Sequence, residues 1–512
     1  MFLRLDFRLS QARKILQSQV DGHPWLLLVA IGVGAFIVFT VFSIERYLAL
    51  QSNFFDLGLD SNSLWRTING YDSWTSLIFP STPGHINHIS PILGLVALVY
   101  AIVPDPRTLL VIQAGAVTLA IVPLYLLAMR ETRSQLVSLA VAGLYLVNPG
   151  LHGIVRYDFH PEAFIPLFVF LVYYFYSGSR PGLFYLSVGL MLATIEYSAV
   201  LGLGISLSLW LTKKHLDKRI LATLLSSLFL IGIILMSTLG QAFEAFNWPS
   251  NWLAVQFFGV ASSQNTPSLQ PVEAFLNNPG VMITFIQYNI VAKATYLLIV
   301  LAPAWLAALK YSIRMLPALP WIAVVLTSSR YSYSNVDFQY SVFLLPFLFL
   351  AAIPFFYQIK KRRKLVLSLV ALGLIIMLLY SAISPVGPSQ QWPQPNPLFS
   401  TVGSVSDRIP QNATILTQSD LYPQLSNKAY VTLNYSYAEP PQYIFVNTQT
   451  SWYDWTNPSL GYPLSTHQQL DRFTSYYSYR VTFVDMGLRL YELDTASVTS
   501  SRVPVFQELE RL

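Results

Sequence analysis

The sequence predicts an all-α polytopic membrane protein with a small α/β domain at its C-terminal end. Three observations carry this. Only 11% of the residues are charged and 54% are hydrophobic, where soluble chains carry about 25% charged residues. Apolar runs recur up to residue 385 and then stop. Lys and Arg gather in the short segments between those runs. This composition excludes a soluble enzyme. With no cysteine in the chain, disulfides, thiolate nucleophiles and Cys-ligated metals are excluded as well.

A polar, basic segment, 1–23, holds Arg4, Arg8, Arg13 and Lys14. The run from Pro24 to Ile44 follows it. It is about 20 residues long, enough to cross a bilayer, and no A-x-A cleavage site follows, so it reads as an uncleaved first span with the N-terminus cytoplasmic. Residues 45–107 form a long first external loop. Within it the apolar stretch 91–104 has 14 residues, which suits an interfacial or re-entrant helix better than a span.

Charge decides that choice. With 91–104 kept outside, 108–129 crosses inward. Further spans follow near 134–147, 161–177, 183–196, 197–212, 219–241, 289–309, 315–328, 339–357 and 364–384. This places 18 of the 24 basic residues before position 385 on the inside, as the positive-inside rule requires. The expectation is eleven spans, a transmembrane domain over 24–385 and an external C-terminal domain over 386–512. Up to residue 385 there are 24 basic and 15 acidic residues, and after it 7 and 10. The positive charge therefore belongs to the membrane loops, and no nucleic-acid partner is expected.

The tail changes character to Pro, Gln, Ser, Thr, Asn and Tyr. Strand-like runs are ATILTQ, KAYVTLNY, QYIFVNT and YRVTFVDMGLRLYEL, with helical turns expected around 400–408 and 466–475. Sequons stand at Asn412 and Asn434.

Ionisable groups in a membrane protein usually face a cavity, and here they fall at the external ends of the runs. In F-F-D-L-G-L-D, Asp56 and Asp60 are four apart and share a helix face. A carboxylate there suits a general base, and equally a cap or a solvated loop. G-H-I-N-H-I-S-P offers His85 and His88, either as ligands of a metal completed by Asp56 or Asp158, or as hydrogen-bonding groups at a helix start. R-Y-D-F-H-P-E brings Arg156, Asp158, His160 and Glu162 together, with Asp158 near an N-cap. Glu196 stands in the apolar stretch LMLATIEYSAVLGLG, where it must neutralise, pair with a distant base or line a polar cavity. Arg330, among tyrosines, fits a phosphate or an anchor in an aromatic belt. Lys293 reads as a snorkelling residue. No Walker A loop, dinucleotide fingerprint, H-E-x-x-H or G-x-S-x-G stands in a fitting context.

Three segments carry a resemblance. FFDLGLDSNSLWRTING (54–70), HINHISPILGLVALVYAIVPDPRTLLVIQAG (85–115) and NPGLHGIVRYDFHPEAFIPLFVFLVYYFYS (148–177) resemble the DUF2079 family of prokaryotic polytopic membrane proteins. QYSVFLLPFLFLAAI (339–353) fits too. That family is grouped with the GT-C glycosyltransferases, which pair a first span with a long external loop bearing a catalytic Asp, juxtamembrane helices and often an external soluble domain. The resemblance thus implies a GT-C-like transmembrane domain. It also implies a cell-envelope transferase that takes a sugar from a polyprenyl-phosphate-type membrane lipid and passes it to a glycan, lipid or protein acceptor outside. By the resemblance Asp56 takes the place of the catalytic Asp; Asp158 and Glu196 are read with it as catalytic residues that position sugar hydroxyls or a divalent metal. The remaining substrate contacts fall to Asp60, His85, His88, Arg156, His160, Glu162, Arg330, Gln339 and Tyr340. No cofactor is required, and a divalent Mg or Mn is compatible. Where relatives tend to have Phe-Asp-Gln, Lys-Glu-Asp and His-Tyr, this chain has Asp60-Ser61-Asn62, Ile195-Glu196-Tyr197 and Gln339-Tyr340. Two alternatives stay open: a transporter or lipid flippase using Glu196, and a non-catalytic envelope assembly factor acting through the tail.

Overall fold

The computed structural model describes residues 24–78, 88–237, 283–384 apart from 285, 303 and 329, then 386, 392–433, 440–450 and 467–494. His85, the segment 1–23 and the Asn434 sequon lie outside the described residues. The chain divides into two compact units: one of Met1–Phe42, Ile78–Ile92 and Ile112–Trp392, the other of Ser43–Leu77, Leu93–Val111 and Pro393–Leu512.

The first unit is helical. Its core is built from Leu, Val, Ile and Phe of helices Ile121–Thr132, Gln135–Leu146, Ile165–Tyr176 and Leu345–Ile359. Helix Leu345–Ile359 is buried at nearly every position of its first turns, as an all-round apolar helix must be.

Helix lengths correct the eleven-span expectation. Among the described residues three helices are long and apolar enough to cross a membrane: Trp25–Leu48, Pro106–Thr132 and Arg363–Tyr380. A fourth arises if Gln135–Leu146 and Pro149–Arg156, bent by 45°, count as one span. Run 219–241 gives the 20-residue helix Lys218–Ser237, while other apolar runs become helices of 10–17 residues, such as Pro181–Leu192 and Ser198–Lys213, where a bilayer asks for about 20. The breaks have local causes. Run 289–309 is cut after Leu301, and 339–357 opens with a 3₁₀ turn, Gln339–Phe343, before Pro346 allows a helix to start. Stretch 91–104 is the short helix expected, Ile92–Tyr100.

Basic helix ends meet within this unit. Arg314 pairs with Glu131 at 3.0 Å. Arg130 donates to the Tyr174 carbonyl at 2.8 Å, Arg219 to that of Tyr176 at 2.7 Å, and Lys360 to that of Thr132 at 3.1 Å. The loops grouped by charge on the inside are thus grouped by contact. Lys293 does not snorkel: it is buried, and its ammonium donates to the Leu326 carbonyl at 2.8 Å.

The second unit holds a five-stranded sheet. Its strands are β1 Thr414–Thr417, β2 Tyr430–Thr432, β3 Tyr443–Asn447, β4 Tyr479–Asp485 and β5 Leu488–Leu493, in the order β2-β1-β3-β5-β4. β1 runs parallel to β2 and β3, while β5 is antiparallel to β3 and β4. The alternation of the strands gives two faces. Ile415, Phe445, Leu488 and Leu490 pack with Val402 and Val405 of helix Leu398–Arg408. Leu416, Ile444, Val446 and Tyr491 pack with Leu470 and Phe473 of helix His467–Tyr476. Met486 and Gly487, both at positive φ, form the two-residue β4–β5 turn.

The first-loop motif belongs to this same unit. Phe54–Gly58 is a π-helical turn followed by helix Leu59–Ile68. Gly58 lies against the tail: a Cβ there would come within 2.8 Å of the Tyr422 ring. The Phe54 amide donates to Ser419 Oγ at 3.2 Å. Ser61 Oγ shares hydrogen bonds with Tyr100 (2.8 Å) and Ser426 (2.9 Å), and Asn62 donates to the Ser426 and Lys428 carbonyls, both at 2.8 Å. Arg66 pairs with Asp72 at 2.6 Å and donates to the Ala429 carbonyl; Tyr71 donates to Asn412. Ser61 and Asn62 are among the groups that tie the loop to the sheet domain.

Candidate functional site

Nine of the predicted site residues lie in the first unit, and they fall at interruptions of its helices. One interruption is 157–164, between helices Pro149–Arg156 and Ile165–Tyr176. A second is 193–197, between Pro181–Leu192 and Ser198–Lys213. A third is 328–343, and the fourth is the segment 88–91 before helix Ile92–Tyr100. Non-helical backbone in an apolar protein is tolerated where it is buried in protein or lines a polar cavity.

The segment at 88–92 is fastened to the turn at 193–196. The Ile92 amide donates to the Ala193 carbonyl at 2.8 Å, and the Ile89 amide to Glu196 Oε2 at 3.1 Å. Glu196 Oε1 meets His88 Nδ1 at 2.6 Å. The Glu196 side chain is 13% exposed and that of His88 40%. The isolated acid of the sequence is therefore paired. Burial works against charge on His88 and so does His160, but the Glu196 carboxylate, through charge and hydrogen bond, outweighs them with help from Glu162 and pushes the imidazole up to about 9. Burial likewise opposes charge on Glu196, yet His88 and the Ile89 amide hold its carboxyl below the usual carboxylate value.

The sign of the pH effect follows. His88 is raised from 6.5, so its contribution is complete below pH 6.5 and is lost as pH rises through about 9. Glu196 is lowered, so its contribution holds above 4.5 and is lost as pH falls through the lower folded value. Partly exposed, the pair contributes about 1 kcal/mol. The apparent Tm in nanodiscs is expected to decline by about 2 °C between pH 6.5 and 9. Glu196→Gln should remove that decline; an equal decline in the variant would show that the pair is not its source.

The R-Y-D-F-H-P-E segment is held by a residue that was not among the predicted site residues. Gln113, in the helix Pro106–Leu119, donates to the Ile154 carbonyl at 2.8 Å, and its Oε1 accepts the His160 amide at 2.8 Å. A lone amide in the apolar run LLVIQAG was the available signal. Asp158, His160 and Glu162 are all buried, and His160 Nδ1 bonds the Asp158 carbonyl at 2.7 Å. The cap position expected for Asp158 belongs to His160, which makes no side-chain cap bond. Arg156 meets Asp337 at 3.5 Å, tying this segment to 328–343. Burial raises the Asp337 carboxyl, with Arg156 acting against it.

The third interruption supplies aromatic faces and a guanidinium. Trp321 stacks on Tyr340 at 5.5 Å and meets Tyr333 edge-on at 5.2 Å. Arg330 is exposed, lies 5.2 Å from the Tyr333 ring centre and donates to its hydroxyl at 3.3 Å. Gln339 is buried beside Tyr340.

Asp56 and Asp60 belong to the second unit, on the π turn and the first turn of helix Leu59–Ile68. Among the described residues no three His, Asp or Glu side chains gather as a group that could hold a metal ion.

Three described helices long and apolar enough to cross a membrane, in a chain so poor in charge, mark a membrane protein. Residues 46–479 match DUF2079, a family of predicted membrane proteins, and the chain belongs to that family. No curated protein matches the sequence.

Proposed function

We propose that this chain is an integral membrane glycosyltransferase that moves a sugar from a polyprenyl-phosphate-type lipid to an acceptor on the external face. What supports this most is the set of polar groups at the helix interruptions: acids that accept from sugar hydroxyls and an exposed guanidinium suited to a phosphate. In this reading Arg330 holds the lipid phosphate, while Glu196, fixed by His88, and Asp158 orient the sugar. By the resemblance, Asp56 takes the proton of the acceptor hydroxyl as its oxygen bonds the anomeric carbon. The bond from that carbon to the phosphate oxygen breaks, and its electron pair leaves with the lipid phosphate. A monophosphate lipid is a stable leaving anion, so no metal step is needed.

The purified protein in proteoliposomes, offered a panel of polyprenyl-phosphate hexoses and pentoses with envelope glycan and lipid acceptors, should release lipid phosphate in step with glycosylated product. If every donor is returned intact while the lipid or its headgroup appears in the opposite leaflet, the protein is a flippase and the transferase reading falls.

A further inference from the structure

Among the described residues of the first unit, two buried carboxylate or amide oxygens are left without donors. Glu162 is 1% exposed and its Oε2 has no hydrogen-bond partner among the described residues; Gln339 is 4% exposed and its Oε1 has none either. Buried acceptors are nearly always paired, and each orphan is a cost that a folded protein keeps for a reason. These two are on neighbouring elements. Glu162 is on the 3₁₀ turn Pro161–Phe164 and Gln339 on the 3₁₀ turn Gln339–Phe343, and the turns pack together. Another carboxylate of the site, that of Glu196, is already engaged at both oxygens, by His88 and by the Ile89 amide.

We infer that Glu162 Oε2 and Gln339 Oε1 form a receptor for hydrogen-bond donors of the ligand, the hydroxyl groups of a neutral sugar, and that the anionic part of the donor lipid binds elsewhere, at Arg330. The inference rests on the transferase reading and names the sugar-recognising end of that site. An anion is excluded here because both atoms are acceptors and one belongs to a carboxylate. Hydroxyls donate without adding charge, and a neutral sugar presents several of them side by side.

The test uses the full chain in nanodiscs and two probes: undecaprenyl phosphate bearing a neutral hexose, and undecaprenyl phosphate alone. Wild type should bind the hexose lipid more tightly. Glu162→Gln and Gln339→Met should bind the bare lipid as wild type does and lose about ten- to a hundredfold on the hexose lipid. Unliganded Gln339→Met should melt at or above the wild-type temperature, because an orphan has been replaced by an apolar side chain of similar volume. Unchanged preference for the hexose lipid in both variants overturns the inference and leaves the transferase reading standing. So does a lowered melting temperature with that preference intact, which would make these groups structural. Failure of wild type to bind either lipid removes the transferase reading together with the inference.

Discussion

Gly153→Ala is expected to leave little folded protein. Gly153 lies in helix Pro149–Arg156, against the segment that carries Asp337 and Gln339. A Cβ at that position would fall 2.0 Å from the Val336 carbonyl oxygen and 2.6 Å from that of Phe338. Both obstacles are backbone, so no rotamer change relieves them. Overpacking of this kind costs about 1–3 kcal/mol where side chains yield, and more where the main chain itself must move. The displaced segment also carries the Asp337 partner of Arg156. Gly143→Ala is the control: it lies inside helix Gln135–Leu146, nothing stands within 4 Å of where the new methyl would sit, and alanine there gains about 1 kcal/mol of helix propensity. Detergent-extracted yield and melting temperature should fall for Gly153→Ala and hold or rise for Gly143→Ala. Equal behaviour of the two variants would contradict the close packing of this helix.

Asp56→Asn is expected to lower transfer by about 10²–10⁴-fold, the range for a lost general base, with the melting temperature unchanged. The change is isosteric and falls on a turn fixed by its neighbours: the Phe54 amide on Ser419, and Gly58 against Tyr422. Loss of rate without loss of fold separates chemistry from scaffolding. Because the turn and the sheet domain form one compact unit, Tyr422→Ala is expected to impair transfer as well, with a lowered melting temperature as its signature. Full transfer by Asp56→Asn would remove Asp56 from the reaction.

Much of this fold was legible in the sequence, and the reason is period. In the tail, all five strands fall within the alternating runs read as strands, and both expected helices appear, as Leu398–Arg408 and His467–Tyr476. A short stretch bounded by Pro at both ends gave the helix Ile92–Tyr100. Hydropathy located the apolar helices but not their lengths. Length depends on where the backbone leaves the helix, and at 193–197 and 157–164 polar side chains rather than prolines alone hold the irregular chain, through Glu196 and Gln113. The pairing of Glu196 with His88 joins residues 108 apart and has no local signature. Nor does the link between Asn62 and the carbonyls of Ser426 and Lys428. Lys293 departs from expectation because a lysine near the end of an apolar run usually reaches for the interface, whereas here the Leu326 carbonyl receives it inside the unit.

The central claim is that the polar interruptions of the helical unit receive the headgroup of a lipid-linked sugar. A cryo-EM map of the full chain in nanodiscs loaded with undecaprenyl-phosphate hexose tests it most directly. The expected map has phosphate density at Arg330 and ring density within hydrogen-bonding distance of Glu162 and Gln339. Headgroup density away from these residues, or a continuous polar path through the helices with Glu196 at its middle, would contradict the claim and point to transport.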